Sequence, residues 1–492
     1  MRRPLVVLVN PWVTDFALYD LWSKPLGLLF LASLLRESGI DVAFIDCLER
    51  LKPDVVNSYD GFVPSKEGFY GTGKFPKKVI ETPEAYGDFP RRYFRYGIPD
   101  EIFLKRASQI PRVPDLIWVS CVMTYWYPGV RMTVEKLREL WPGVPVWLGG
   151  IYARLCPDHA SANSGADFVF CSSPEDIPDF LEAKFDIALK NRELWKAFSG
   201  YPPPAWDLLP ASPYRVLLVG VGCPYRCTYC ASSNLYPVHS VRPPEVVLNE
   251  IYDGLEQGIG DFAFYDDALL MTSWESLKEV LRRVIDEGIK VRFHTPNALH
   301  VRALISDRDG RDGVVRLLRD AGFTTIRLGF ETSRFRHQRD WGGKTYSDEF
   351  KVAVKRLFDH GWTTGEIGAY ILCGVPGQTP DEVKASIDFV GELGVLPFIS
   401  EYSPVPGTPM WQVACETSSF NIREEPLYHN NSFFACRSDY FTYEDMIFLK
   451  NYARKVRREL VSTFRASSSE RTASSVAEFR PFELLIRSRR DV

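Results

Sequence analysis

In this 492-residue chain, the segment Cys223-Pro-Tyr-Arg-Cys227-Thr-Tyr-Cys230 holds the residues whose type and spacing most directly imply chemistry. Three thiolates on one short loop can hold three irons of a cubane cluster. The fourth iron is then free for an exogenous ligand, which makes such a site reactive. A closed structural zinc site needs four protein ligands, usually in paired modules. His239, the nearest further ligand type, stands nine residues beyond Cys230 and past Pro237, so the spacing favours iron. Of the remaining cysteines, Cys47, Cys121, Cys171 and Cys373 follow or sit within apolar runs, where a free thiol behaves as a small core hydrophobe. Cys415 and Cys436 come later and are too few for a second cluster. Ten cysteines in a long chain, three of them crowded together, fit a reducing compartment and a cytoplasmic protein better than a secreted disulfide framework.

The cysteine loop must be carried by something, and the pattern around it is α/β. From residue 1 to about 185, apolar runs at Leu5–Val9, Val42–Ile45, Leu116–Val119, Val144–Leu148 and Phe168–Phe170 alternate with helical periodicity. Helices are expected around Leu26–Leu35 and along Val130, Val134, Leu137 and Trp141. This predicts a doubly wound, Rossmann-like parallel sheet over residues 1–190. Ligands of such sheets lie beyond the carboxyl ends of the strands. Those ends carry Asn10-Pro11-Trp12, Ser120-Cys121-Val122 and Gly149-Gly150-Ile151-Tyr152. An aromatic-rich insert at 48–113 interrupts the alternation, either as a packed subdomain or as a cap over a ligand. Residues 191–212, with Pro202-Pro203-Pro204, read as a linker.

From 213 to 412 six further runs (Val216–Val221, Phe262–Tyr265, Val291–Phe293, Ile326–Phe330, Ile367–Leu372 and Leu396–Ile399) each leave room for a helix. They predict a six-unit βα partial barrel with chemistry at the carboxyl ends of its strands. Residues 413–492 form a C-terminal extension, helical near Thr442–Leu460, with a Ser-rich tail expected to be mobile. No stretch approaches the ~20 continuous apolar residues of a membrane span. With 59 basic and 63 acidic residues, the net charge of -4 carries no nucleic-acid signature. Gly68-Phe-Tyr-Gly-Thr-Gly73-Lys74 imitates a phosphate loop, but Phe75 replaces the metal-binding hydroxyl and Pro76 blocks the helix that should follow.

The cysteine motif, with Tyr229 just before its last cysteine and a barrel strand before its first, resembles the signature of the radical S-adenosylmethionine (radical SAM) superfamily. The resemblance implies a 4Fe-4S cluster on Cys223, Cys227 and Cys230 and reductive cleavage of S-adenosylmethionine (SAM). It implies SAM contacts from Tyr229, Asp266 and Asp267 after the second strand, Asn297 after the third, Glu331 and Lys344 around the fourth, and Gly374 and Pro376 after the fifth. The N-terminal region is similar to the cobalamin-binding domain that precedes the barrel in many such proteins. Asn10, Pro11, Trp12, Ser120, Val122, Tyr125, Gly149, Gly150 and Tyr152 would then face the corrinoid. No Asp-x-His-x-x-Gly follows the first strand, and none of the seven histidines precedes His159, so a histidine of that motif cannot ligate the lower face. Asn10, Tyr125 or a water remain for that role. The implied activity is a cobalamin-dependent methyltransferase acting on an unactivated carbon, fed by an external donor of flavodoxin or ferredoxin type. The alternatives are a radical SAM rearrangement, carbon–sulfur bond formation or oxidation without methylation, or a non-catalytic corrinoid or iron–sulfur carrier. The substrate, whether small molecule, lipid or peptide, is not written in the motifs.

Overall fold

The computed structural model describes residues 2–56, 61–209 and 212–469. From residue 470 on, the Ser-rich tail lies outside the described residues. The chain divides into two units. The first comprises residues 1–213 and 423–433, the second residues 214–422 and those from 434 onward.

In the first unit five parallel strands run in the spatial order Phe168–Val169, Val146–Gly149, Leu116–Ser120, Leu5–Asn10, Asp41–Asp46. The first strand sits inside the sheet, so the winding direction reverses between Leu5–Asn10 and Leu116–Ser120. Alternate residues feed two cores. Val7, Val9, Ile117, Val119 and Leu148 enter one, and Val6, Leu8, Leu116, Trp118 and Trp147 the other. Burial on both faces explains why these strands read as continuous apolar runs. Helix Leu26–Glu37 covers the second face. Helix Tyr127–Leu140 packs Val130, Val134 and Leu137 on the first.

The insert is a packed antiparallel sheet ordered Val13–Asp15, Tyr93–Tyr96, Lys77–Ile80, Phe62–Val63. The Gly68–Lys74 segment, which imitates a phosphate loop, bends through a short hairpin pairing Lys66–Glu67 with Gly73–Lys74, and no helix opens from it. Trp12 links insert and sheet. Its indole donates to the Ile98 carbonyl at 2.8 Å, and the Arg95 guanidinium lies 4.5 Å above its ring. Residues 423–433 complete this unit from far along the chain. Asn430 donates to Asp15 at 2.9 Å, the Tyr86 hydroxyl donates to the Leu427 carbonyl at 3.0 Å, and the Phe433 ring lies 5.1 Å from those of Tyr86 and Phe89.

In the second unit six parallel strands stand side by side in chain order: Arg215–Leu217, Asp261–Phe264, Arg292–His294, Phe323–Glu331, Ile367–Cys373 and Leu396–Glu401. That is the order of a partial barrel, with amphipathic helices between strands. Trp274–Asp286 buries Leu277, Val280, Leu281 and Val284 at helical spacing. Pro380–Glu392 starts on a reciprocal cap, Thr379 accepting from the Glu382 amide while the Glu382 carboxylate accepts from the Thr379 amide at 3.0 Å. Replacing that cap costs about 1 kcal/mol. Helix Tyr443–Ser469 sends Met446, Leu449 and Ala453 into the core.

The first barrel strand is shorter than the apolar run Val216–Val221 predicts. The buried Asp266 carboxylate accepts from the amides of Val219 at 3.0 Å and Gly220 at 2.7 Å and takes them out of the ladder. The chain turns there, and Gly220–Val221 pairs antiparallel with Ser240–Val241 instead. This places the cysteine loop immediately beyond the strand end.

Candidate active site

The loop begins at Gly222, whose φ of +92° and close approach to His239 require a residue without Cβ. It is clamped from two sides. The Thr228 amide donates to the Trp341 carbonyl at 3.2 Å, and the Thr228 carbonyl accepts from the Met410 amide at 2.9 Å. Gly342, at φ +123°, lets the backbone after the fourth strand come so near that a Cβ would stand 3.0 Å from Cys227 Cα.

Within the loop, Cys227 is buried while Cys223 and Cys230 are half-buried. Cys223 and Cys227 each feel the charge of Cys230. The Ser232 amide donates to Cys230 Sγ at 3.5 Å, and His300 Nε2 lies 3.8 Å from Cys223 Sγ. Burial pushes the Cys223 thiol up and the Cys227 thiol up to about 11, against the opposing pull of the Lys344 ammonium. Iron bound there would reverse that balance, because a coordinated thiol gives up its proton. Among the described residues no three His, Cys, Asp or Glu side chains gather closely enough to hold a single metal ion. Three cysteines on one short loop supply the donor set of a cluster, in which each thiolate would ligate a separate iron. The donor set therefore fits a cubane on Cys223, Cys227 and Cys230.

Across from the sulfurs, Lys344 Nζ lies 3.1 Å from Glu331 Oε1. Burial opposes the lysine charge, yet Glu331 and the sulfurs of Cys227 and Cys223 hold its pKa above the ordinary value. Glu331 occupies the left-handed region at φ 68°, an uncommon conformation for a side chain of this type. A Cβ at Gly329 would stand 2.6 Å from Lys344 Nζ, so the glycine makes room for the ammonium. Asp267 also feels Lys344. Its carboxylate accepts from the Ser232 hydroxyl at 2.7 Å, and burial pushes its pKa up.

The neighbouring Asp266 turns away from these groups and braces the first strand, accepting from Val219, Gly220 and the Ser273 hydroxyl at 2.8 Å. Tyr229 is half-buried and packs edge-on to Trp341, ring centroids 6.4 Å apart. Asn297 is exposed and donates to the Tyr265 carbonyl at 2.7 Å. Gly374 and the half-buried Pro376 form the turn after the fifth strand, where the Gln378 side chain accepts from the Gly374 amide at 2.9 Å and donates to the Leu372 carbonyl at 3.0 Å.

In the first unit, the nine residues singled out at strand ends follow three adjacent strands and so share one edge of the sheet. Most of them are occupied. Asn10 donates to Asp46 at 2.6 Å. Pro11, Trp12, Tyr125, Gly149 and Tyr152 are buried. The Tyr152 hydroxyl bonds His159 at 2.7 Å, and Gly150, at φ +92°, packs against the Cys121 carbonyl and Ser120. Val122 is 51% exposed and the adjacent Met123 40%, so two apolar side chains face outward where the winding reverses. Both histidines of the unit are engaged, His159 with Tyr152 and His429 with Thr124 at 2.8 Å.

Sequence reasoning missed Ser232, His300 and the returning segment around Asn430. Ser232 and Asn430 have no distinguishing spacing, and His300 stands just before helix Val301–Ile305, where a lone histidine is usually structural.

Residues 217–390 match the radical SAM superfamily. Over 353 residues the chain is 25% identical to a protein of Pyrococcus horikoshii described as an uncharacterized methyltransferase, covering 65% of this chain and 73% of that one. It is 21% identical to cytidylyl-2-hydroxyethylphosphonate methyltransferase of Streptomyces wedmorensis, covering 87% and 84%. Among solved structures, its fold is similar to that of the radical SAM methyltransferase TsrM from Kitasatospora setae with cobalamin and a [4Fe-4S] cluster bound. The TM-score is 0.57 at 17% identity, over 85% of this chain and 76% of that one. It is also similar to the cobalamin-dependent enzyme OxsB, with a TM-score of 0.53 at 14% identity, over 90% and 57%.

Proposed function

We propose, on the premise that the chain belongs to the radical SAM superfamily through residues 217–390, that it is a cobalamin-dependent radical SAM methyltransferase acting on an unactivated carbon. The observation that carries this reading is the cysteine loop at the end of the first strand of a six-strand parallel sheet, faced by the Lys344–Glu331 pair. A cluster bound there supplies an open iron to chelate SAM and the electron that cleaves it. Cys223, Cys227 and Cys230 hold that cluster. Lys344 offsets the negative charge of the thiolates, and with Glu331, Asp267 and Asn297 it offers polar groups to the amino-acid and ribose parts of SAM. The Gly374–Pro376 turn leaves backbone within reach of the adenine, and Tyr229 with Trp341 excludes water behind the loop.

The first unit supports the cobalamin part. Its fold neighbours hold the corrinoid, its winding reverses at the edge where doubly wound sheets bind ligands, and Val122 and Met123 offer apolar contact there. A bound corrinoid would carry the methyl group between SAM and substrate. Low-potential electrons would come from a flavodoxin- or ferredoxin-type donor, in the cytosol. Among the described residues no helix is long and apolar enough to cross a membrane.

The test is anaerobic reconstitution with iron and sulfide, followed by SAM, dithionite and hydroxocobalamin. Formation of 5′-deoxyadenosine or S-adenosylhomocysteine, abolished in Cys227→Ala, is the expected result. Neither product from a protein with full iron content would overturn the enzymatic reading, and failure to retain hydroxocobalamin would overturn the cobalamin part.

A further inference from the structure

His300 is a buried imidazole that meets the cysteine loop at two residues and also feels the charge of Lys344. Its ring stacks on Tyr225 at a centroid distance of 5.0 Å and an interplanar angle of 15°. Its Nε2 lies 3.8 Å from Cys223 Sγ. Nδ1 has no partner among the described residues. The backbone holds the ring in place. The Leu299 amide donates to the Arg327 carbonyl at 2.8 Å, and the His300 carbonyl accepts from the Ala303 amide at 3.0 Å. A sulfur bonded to iron has no proton to give, so any hydrogen bond between the two must run from Nε2–H to Cys223. The neutral ring then has its proton on Nε2 and a bare lone pair on Nδ1, the nitrogen that lacks a partner.

We infer that His300 is a positioning residue for the cluster, donating one hydrogen bond to the Cys223 thiolate and thereby raising the cluster's reduction potential. This inference rests on the cluster reading of the cysteine loop. Reduction adds an electron to the iron–sulfur core, and part of that charge falls on the ligating sulfurs. An N–H aimed at one sulfur stabilises the reduced state more than the oxidised one, and hydrogen bonds to sulfur are among the factors that set such potentials. His300 therefore makes the cluster easier to charge from a weak donor.

The experiment compares wild type, His300→Phe and His300→Asn after reconstitution, by iron content and by an EPR-monitored redox titration. Phe keeps an aromatic ring over Tyr225 and removes the N–H, whereas Asn restores an amide donor. His300→Phe is expected to hold wild-type iron with its reduction equilibrium shifted about tenfold toward the oxidised form, roughly 59 mV for one electron, and His300→Asn to recover part of the shift. An unchanged midpoint in His300→Phe would overturn the inference. A second measurement needs no variant. In wild type labelled with 15N-histidine, pulsed EPR of the reduced cluster should detect one weakly coupled 15N, and its absence would also overturn the inference. If wild type holds no iron, the cluster reading itself fails, and this inference with it.

Discussion

Asp266 offers a quantitative check on how the barrel presents its cysteine loop. Its carboxylate is 3% exposed and accepts three hydrogen bonds, from Val219, Gly220 and Ser273. Burial outweighs those bonds and pushes its pKa up to about 6 from 3.8. The folded protein thus binds this proton more tightly than the unfolded chain. The stabilisation is fully present below about pH 4 and is lost as the pH rises through about 6, a span of about two units or ~3 kcal/mol. Asp266→Asn removes the titration. The amide keeps an oxygen for Gly220 and Ser273 but turns its own N–H toward the Val219 amide, and two buried donors facing each other cost about 1–3 kcal/mol. Iron-free wild type and variant are to be unfolded in urea from pH 4 to pH 7, with the transition followed by hydrogen exchange in peptides from the first two barrel strands. The wild type is expected to be the more stable, and its advantage should widen by roughly 2–2.5 kcal/mol as the pH falls from 7 to 4. An advantage that does not change with pH would refute the assignment of a buried, titrating brace.

Three further outcomes are expected. Gly342→Ala sets a methyl group 3.0 Å from Cys227 Cα at a φ of +123°, so the iron bound per chain after reconstitution should fall while the fold, read by circular dichroism, persists. Lys344→Met removes the ammonium beside Glu331 and the sulfurs. Equilibrium binding should show at least a tenfold weaker SAM affinity, about 1.4 kcal/mol, and an unchanged affinity would exclude Lys344 from SAM binding. Asn430→Leu strips one donor from the buried Asp15 carboxylate. Thermal unfolding of the first unit should report a loss of about 1–3 kcal/mol.

Much of this architecture was legible because it rests on local periodicity. Leu5–Asn10 and Leu116–Ser120 are buried on both faces and so read as unbroken apolar runs. Trp274–Asp286 carries its apolar stripe at helical spacing, and Pro380–Glu392 announces its start with a cap, a proline and an acid. The cysteine loop was legible because ligand spacing is itself the chemistry. What periodicity does not encode is which side chains meet from distant segments. Asp266 and Asp267 are adjacent, yet one braces a strand and the other faces Lys344. The run Val216–Val221 looks like a single strand until a carboxylate 46 residues after Gly220 takes its amides. Tyr93, Tyr96 and Phe94 in the insert read only as aromatic abundance, although they belong to an antiparallel strand.

The passage of residues 423–433 into the first unit has a consequence for the order of synthesis. A ribosome translating from the N-terminus completes the five-strand sheet and its insert by residue 213, but Asn430 and Phe433 emerge about 220 residues later. At 5–20 residues per second that is a delay of roughly 10–45 s. Until then Asp15 lacks its Asn430 partner and the rings of Tyr86 and Phe89 lack Phe433. The nascent first unit must wait in an unfinished form while residues 214–422 are made, so a stretch of chain synthesised near the end closes the first domain to have formed.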